Sequence, residues 1–276
     1  MMNMKKNKNN VGILEELIIR EIKTIPEGPL SFFLSGGLDS SLILALLRKV
    51  YPNIEINTYS YAKQIDHPDL VASREMSLLF NTNHTELLLT EELLSKYVEE
   101  FNEIKKYDFE GDVYCYILCK QVLSNKDKIV TGDGGDECFG GYFLHECPLG
   151  HRENGIISSY EGISSFTKEH IEDMISVGFR DFLFKDKSTE EDYNKVWEYY
   201  ITTLIPQQVN PLLYLESIMG VKFYLPLVSD KIIEFMRSLP YIERVGKKLE
   251  RELAAKYLPE HIINRKKFNL KGYSAR

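Results

Sequence analysis

Two short segments hold the residue types that phosphate chemistry needs. The first, SGGLDSS at 35–41, joins two glycines to hydroxyls and a carboxylate. Gly36 and Gly37 let backbone N–H groups come close to an anion, and Ser35 and Ser40 add hydroxyl donors. Asp39 would repel a phosphate unless a divalent cation lies between them, and its hard oxygens suit Mg²⁺. Taken alone, the segment is better read as a plain strand–turn–helix junction with Asp39 as a capping residue. The Gly-Lys-Ser/Thr of a Walker loop does not follow it.

The second segment, TGDGGDECFGGY at 131–142, changes that reading. Asp133, Asp136 and Glu137 crowd a glycine-rich loop, and such crowding is costly unless a cation or a shared proton relieves it. Asp136 then becomes a partner for Asp39 on one metal ion. A solvated acidic hairpin is the plain alternative. Against it, the loop follows an apolar run and leads into aromatic residues.

The flanking sequence says what must position these loops. SFFLS reads as a short buried strand, and residues 39–50 as an apolar helix with Arg48 and Lys49 at its C-terminal end. Residues 54–62 alternate and are rich in β-branched and aromatic types, which predicts a second strand; 84–89 predicts a third, and the run from 128 a fourth. Helical spacing recurs at 12–24, 68–80, 91–107 and 113–124. Strands alternating with helices imply βαβ units, a parallel sheet and an α/β fold. Both glycine-rich loops leave strands, so both can share the crevice at the strands' C-terminal ends. From about residue 150 only helical periodicity is evident, at 168–177, 190–204, 210–219, 229–238 and 248–257. The expected organisation is a disordered tail over 1–10, an α/β core over about 11–145, and a helical half over about 146–276 packed with it as one unit.

Bulk properties narrow the setting. The chain has 276 residues, 43% hydrophobic and 27% charged, with a formal net charge of −7, which is ordinary for a globular protein. The acidic balance gives no support for a nucleic-acid partner. No run approaches a membrane span, and no signal-type apolar segment follows the polar start MMNMKKNKNN. Cys115, Cys119, Cys138 and Cys147 lack CxxC spacing, and the histidines lack ligand spacing, so reduced, buried thiols in a cytoplasmic protein are expected.

SGGLDSS resembles the pyrophosphate loop of the ATP pyrophosphatase (PP-loop) superfamily. TGDGGDECFGGY is more specific: it resembles the synthetase domain of class B asparagine synthetases and their β-lactam synthetase relatives. HPDLVASREMSLLFNTNHTE at 67–86, YILCKQV at 116–122 and KKLERELAAKYLPEHIINRKKFN at 247–269 are similar to other segments of that domain. The resemblance covers nearly the whole chain from about residue 11 and implies an adenine nucleotide α-hydrolase-like (HUP) core. It further implies a ligase that adenylates a carboxylate with ATP, releases pyrophosphate, and lets ammonia or an amine displace AMP.

The resemblance also carries roles over, residue by residue. Ser35, Gly36, Gly37 and Ser40 would cradle the departing pyrophosphate, and Asp39 and Asp136 would ligate Mg²⁺. Asp133 matches the acidic catalytic position, Lys267 the lysine of the Arg-x-Lys motif, and Lys247 a second phosphate-contacting lysine. Gly132, Tyr61 and Ala62 would line the adenine site through backbone groups, and Phe33 falls among the ATP-binding positions. The physics suits these roles: lysines and Mg²⁺ offset the charge built at the α-phosphate, and a carboxylate takes the amine's proton.

The chain departs from the pattern in two places. It enters the resembling region almost at once, so a glutaminase domain ahead of it is not expected. The nitrogen is therefore expected from free ammonia, a separate glutaminase subunit or a substrate amine. In GVKFYLPLVSD at 220–230, Lys222, Tyr224 and Ser229 stand where the family has glutamate, arginine and aspartate, which puts aspartate as acceptor in doubt. Two other readings stay open: a tRNA- or nucleotide-modifying PP-loop enzyme, and a non-catalytic ATP-binding module.

Overall fold

A computed structural model describes residues 2–106, 110–123, 127–142, 176 and 189–265. Five parallel strands form one sheet in the order β3-β2-β1-β4-β5: β1 Leu30–Phe33, β2 Ile56–Ala62, β3 Asn83–Leu88, β4 Lys128–Val130 and β5 Lys222–Tyr224. The N-terminal half supplies α1 Met2–Ile22, α2 Leu38–Val50, α3 Pro68–Leu79, α4 Glu91–Ile104, α5 Glu110–Val122 and the single turn α6 Gly135–Cys138. Further on lie α7 Glu190–Tyr199, a π-turn Tyr200–Leu204, α8 Ile205–Met219, α9 Asp230–Arg237, α10 Tyr241–Arg244, α11 Lys248–Ala254 and α12 Glu260–Ile263.

The parallel sheet is buried on both faces, which explains why β1 and β4 read as nearly continuous apolar runs. On one face α1, α2, α9 and α11 close over Leu30, Phe32 and Val130. On the other, Ile129 and Phe223 pack with Tyr97 and Phe101 of α4, Tyr116 and Ile117 of α5, and Leu212 and Leu215 of α8. Helix α2 is buried at nearly every position from Leu38 to Leu47, as expected of a helix that is apolar all round. Strand order reverses at β1, with β2 on one side and β4 on the other. Open α/β sheets bind ligands at such a switch point, outside the strands' C-terminal ends, and both glycine-rich loops leave the sheet there.

Two expectations are corrected. The segment expected as a disordered tail is the first part of α1, which starts at Met2; Asn10 is buried and donates to Glu243 at 2.8 Å, tying this end of the chain to α10. The portion expected to be purely helical contributes β5 to the sheet, paired residue for residue with β4. The helix expected at 168–177 lies almost wholly outside the described residues. Among the described residues no helix is long and apolar enough to cross a membrane.

Candidate active site

The first loop runs from β1 into α2. Gly36 takes a positive φ of 66°. Gly37 is the N-cap of α2 and no side chain caps the helix. Asp39 therefore is not the cap: it sits inside the first turn, and its carboxylate goes elsewhere. The Ser35 and Ser40 hydroxyls meet at 3.0 Å, and the Gly37 N–H donates to Ser35 Oγ at 3.3 Å. These short, adaptable bonds leave hydroxyls and amides clustered at a helix N-terminus, an arrangement suited to phosphate oxygens.

The second loop packs directly against the first. A Cβ at Gly132 would lie 2.7 Å from Ser40 N, and one at Gly135 only 2.2 Å from Asp39 Oδ1. Glycine is required at both by the closeness of the two loops. The GVKFYLPLVSD segment closes over the other side. Tyr224 O accepts from Thr131 N at 3.1 Å, and Leu227 and Val228 abut Gly135 and Gly134.

Asp39 and Asp136 converge on one cation. Lys247 Nζ stands 2.5 Å from Asp39 Oδ1 and 2.6 Å from Asp136 Oδ1, with Glu250 Oε2 at 3.9 Å. Lys247 is aimed there by unusual backbone, φ 56° following Gly246 at φ 66°. A non-glycine residue in that region costs about 1–2 kcal/mol; two bonds hold it, from the Lys247 and Gly246 amides to Phe139 O and Gly140 O, each 2.9 Å. Burial alone would lower the Lys247 pKa, but Asp136, Asp39 and Glu250 outweigh it and keep the ammonium charged. Glu250 is pushed the other way: burial first, then the Asp39 charge, raises its carboxyl well above the usual range. Two carboxylates from separate loops bring together hard oxygens of the type that could hold Mg²⁺, at the point the Lys247 ammonium now takes.

The remaining expected residues are placed as follows. Asp133 is exposed and accepts from the Thr131 hydroxyl at 2.7 Å. Tyr61 lies near the end of β2, its ring 5.7 Å from Tyr114; burial first, then Cys115 and Asp133, raise its phenol pKa. Ala62 is buried and its carbonyl accepts from Leu89 N at 2.9 Å. Phe33 ends β1 edge-to-face on Phe223, 5.9 Å away. Lys267 lies outside the described residues. Its neighbour Arg265, not singled out in the sequence, reaches the first loop: it donates to Asp69 Oδ1 at 2.7 Å and to Ser35 O at 3.3 Å. The other residue missed is Glu250.

Behind the second loop, Glu137 is buried and accepts from Tyr142 at 2.5 Å and from Gln208. Trp197 donates to Cys138 O at 3.1 Å, with the Arg244 guanidinium 4.6 Å above its ring. Lys222 pairs with Glu216 at 2.9 Å and is largely exposed, while Ser229 caps α9 by accepting from Ile232 N. Cys115, Cys119 and Cys138 form no disulfide among the described residues, and burial pushes the Cys119 thiol up to about 12. Among the described residues no group of three or more His, Cys, Asp or Glu is arranged to hold a metal ion.

A family model described as asparagine synthase matches residues 21–274. The asparagine synthetase [glutamine-hydrolyzing] of Mus musculus is 31% identical over 152 residues, covering 51% of this chain and 27% of that protein. The Homo sapiens protein of the same name is 30% identical over the same coverage. The chain thus spans about a quarter of the length of these curated relatives. Among solved structures, the U34-tRNA thiolase NcsA from Methanococcus maripaludis with its [4Fe-4S] cluster is similar over 89% of this chain and 72% of its own. That likeness is loose, with 11% identity and a TM-score of 0.35.

Proposed function

The chain belongs to the asparagine synthase family, and from that premise we propose that it is an ATP-dependent, AMP-forming amide ligase. A carboxylate oxygen of a small-molecule or amino-acid acceptor attacks the α-phosphorus of ATP, and the bond to the β-phosphate oxygen breaks, releasing pyrophosphate. Ammonia or an amine, free or delivered by a separate glutaminase subunit, then attacks the acyl carbon. AMP leaves and an amide remains.

The observation that carries this reading is the convergence of Asp39 and Asp136, from loops after β1 and β4, on a single cationic point at the switch of the sheet. Those two carboxylates are the residues that would hold Mg²⁺, which when bound neutralises charge on the pyrophosphate. Ser35, Gly36, Gly37 and Ser40 bind phosphate oxygens through amides and hydroxyls. Lys247 and Lys267 offset negative charge near the α-phosphate. Phe33, Tyr61, Ala62 and Gly132 flank the adenosine. Asp133, exposed at the cleft and oriented by Thr131, accepts the proton that the attacking nitrogen loses. We place the reaction in the cytoplasm, in keeping with cysteines that form no disulfide among the described residues.

The test is a carboxylate screen read by pyrophosphate release and AMP formation, with ammonia and then amino acids as nucleophile. Asp39→Ala is expected to abolish release, and Lys267→Ala to keep ATP binding while slowing turnover. Turnover equal to wild type in both variants, or no release with any carboxylate, would refute the assignment.

A further inference from the structure

The first loop contains a peptide that its own sequence does not orient. Gly36 takes φ 66°, and a Cβ there would lie 2.6 Å from Ser73 N and 2.7 Å from Ala72 C, both backbone atoms of α3. Only glycine fits. Glycine accepts φ of either sign about equally, so the Ser35–Gly36 peptide can stand either way up. In a planar trans peptide the carbonyl and the N–H point in opposite directions. A half turn of this peptide therefore exchanges the Gly36 N–H for the Ser35 carbonyl. The N–H attracts a phosphate oxygen, and a carbonyl oxygen in its place repels one.

A guanidinium from the far end of the chain selects one orientation. Arg265 Nη2 donates to Ser35 O at 3.3 Å, and Nη1 donates to Asp69 Oδ1 at 2.7 Å. Nη2 also lies 3.9 Å from where a Cβ on Gly37 would stand, so the group reaches the turn into α2. The Arg265 and Asp69 side chains are each 15% exposed, which shields the pair from most of the solvent that weakens surface ion pairs. Both partners are anchored. Asp69 lies in the first turn of α3, whose N-cap His67 accepts from Asp69 N at 3.2 Å, and the same helix presents Ala72 and Ser73 to Gly36. Arg265 N donates to Ile262 O at 3.3 Å at the end of α12, and Ile262 and Ile263 are buried in the core. With one limb of the planar fork held by Asp69, the other limb has a set place in which to meet the Ser35 carbonyl.

We propose that Arg265 is a positioning residue that locks the Ser35–Gly36 peptide in the orientation that offers its N–H to phosphate, with Asp69 as the anchor of the lock. The inference rests on the reading that the first loop holds pyrophosphate. Arg265 acts through the loop backbone, so the shape of its fork matters as well as its charge.

The experiment is calorimetric titration of the full chain with inorganic pyrophosphate and Mg²⁺, and separately with AMP, in wild type, R265Q, R265K, D69A and D69A/R265Q. Circular dichroism checks that each variant folds, and R265K, the mildest change, serves if R265Q does not. R265Q is expected to weaken pyrophosphate binding about tenfold, the worth of one lost hydrogen bond to a charged group, and AMP binding less than twofold. R265K should fall close to R265Q, because an ammonium does not reproduce the planar fork. D69A should weaken pyrophosphate binding as well, and adding it to R265Q should change affinity less than twofold further. Pyrophosphate binding by R265Q equal to wild type overturns the proposal. Full affinity in R265K overturns it too, since charge alone would then suffice. Equal loss of pyrophosphate and AMP binding makes Arg265 a general support of the fold, and losses that add in the double variant uncouple it from Asp69; either result overturns the lock. Wild type that binds no pyrophosphate refutes the ligase reading and this inference together, whereas each of the other outcomes leaves the ligase reading standing.

Discussion

Replacing Gly132 with alanine separates the two loops by a calculable amount. Gly132 has no positive φ, so alanine suits its backbone and the effect is one of space alone. The new Cβ would lie 2.7 Å from Ser40 N and 3.0 Å from Asp39 C, whereas ordinary contact begins at 3.4 Å. Both neighbours are backbone atoms and cannot rotate away, so one loop must move by about 0.7 Å, the difference between those distances. A phosphate donor displaced that far from a typical length of about 2.9 Å leaves hydrogen-bonding range. Losing one such bond to a charged group costs about 1.5–3 kcal/mol, or roughly 10- to 100-fold in affinity. The strain itself should lower stability by about 1–3 kcal/mol. Calorimetric titration with MgATP and thermal denaturation measure the two effects. An alanine variant that binds MgATP within twofold of wild type and melts at the same temperature would refute the claim that the loops form one site.

Gly12→Ala is the natural control: nothing lies within 4 Å of a Cβ there, so placing alanine in the interior of α1 should stabilise the protein by about 0.5–1 kcal/mol in denaturant melts. Glu15 has its pKa lowered to about 2: burial opposes this, but Lys256, Lys49 and Tyr257 prevail. Its folded value lies below its unfolded one, so its contribution is present above pH 4.5 and is lost as pH falls toward 2. Glu15→Gln should flatten the fall of unfolding free energy across that window, measured by urea titrations; identical pH slopes would contradict the pairing. Trp197→Phe removes the donor to Cys138 O and leaves that carbonyl unpartnered beneath the second loop. It should cost roughly 2–3 kcal/mol in thermal or denaturant unfolding.

The parts legible in the sequence were those whose signal is local. Glycines beside acids marked both loops, and apolar alternation marked β2. A long apolar run marked α2, and its burial on all sides follows from that run. Strand β5 was not legible because three residues give no alternation to read, and KFY becomes a strand only by pairing with β4, some ninety residues earlier. The identity of the α2 cap was not legible either. Asp39 has the chemistry of a cap, but the helix starts at Leu38 with Gly37 as its N-cap, and the Asp39 carboxylate pairs with Lys247 from far along the chain. Glu250 was hidden for a related reason. In KKLERELAAK it looks like one more charge on a solvated helix face, yet the turn that places Lys247 rotates Glu250 into the core together with Leu249 and Leu253. Ser229 in place of an acid has a plain explanation as the cap of α9, and Lys222 faces Glu216 rather than the loops.

The pairing of β4 with β5 has a consequence for how this chain can diverge. The peptide leaves the sheet after Val130 and returns at Lys222 on the adjoining strand, with Lys222 N bonded to Asp127 O at 2.9 Å and Thr131 N to Tyr224 O at 3.1 Å. The described residues between them include the second loop, α7 and α8, and the two ends of this excursion lie side by side. For such a closed excursion, doubling its length costs only about 0.6 kcal/mol of closure entropy. Insertions in surface connections between its packed elements can therefore accumulate while the C-terminal end of the sheet keeps its register. The seam of two short strands keeps the second loop, with Asp136, beside Asp39 on the same cation, Lys247.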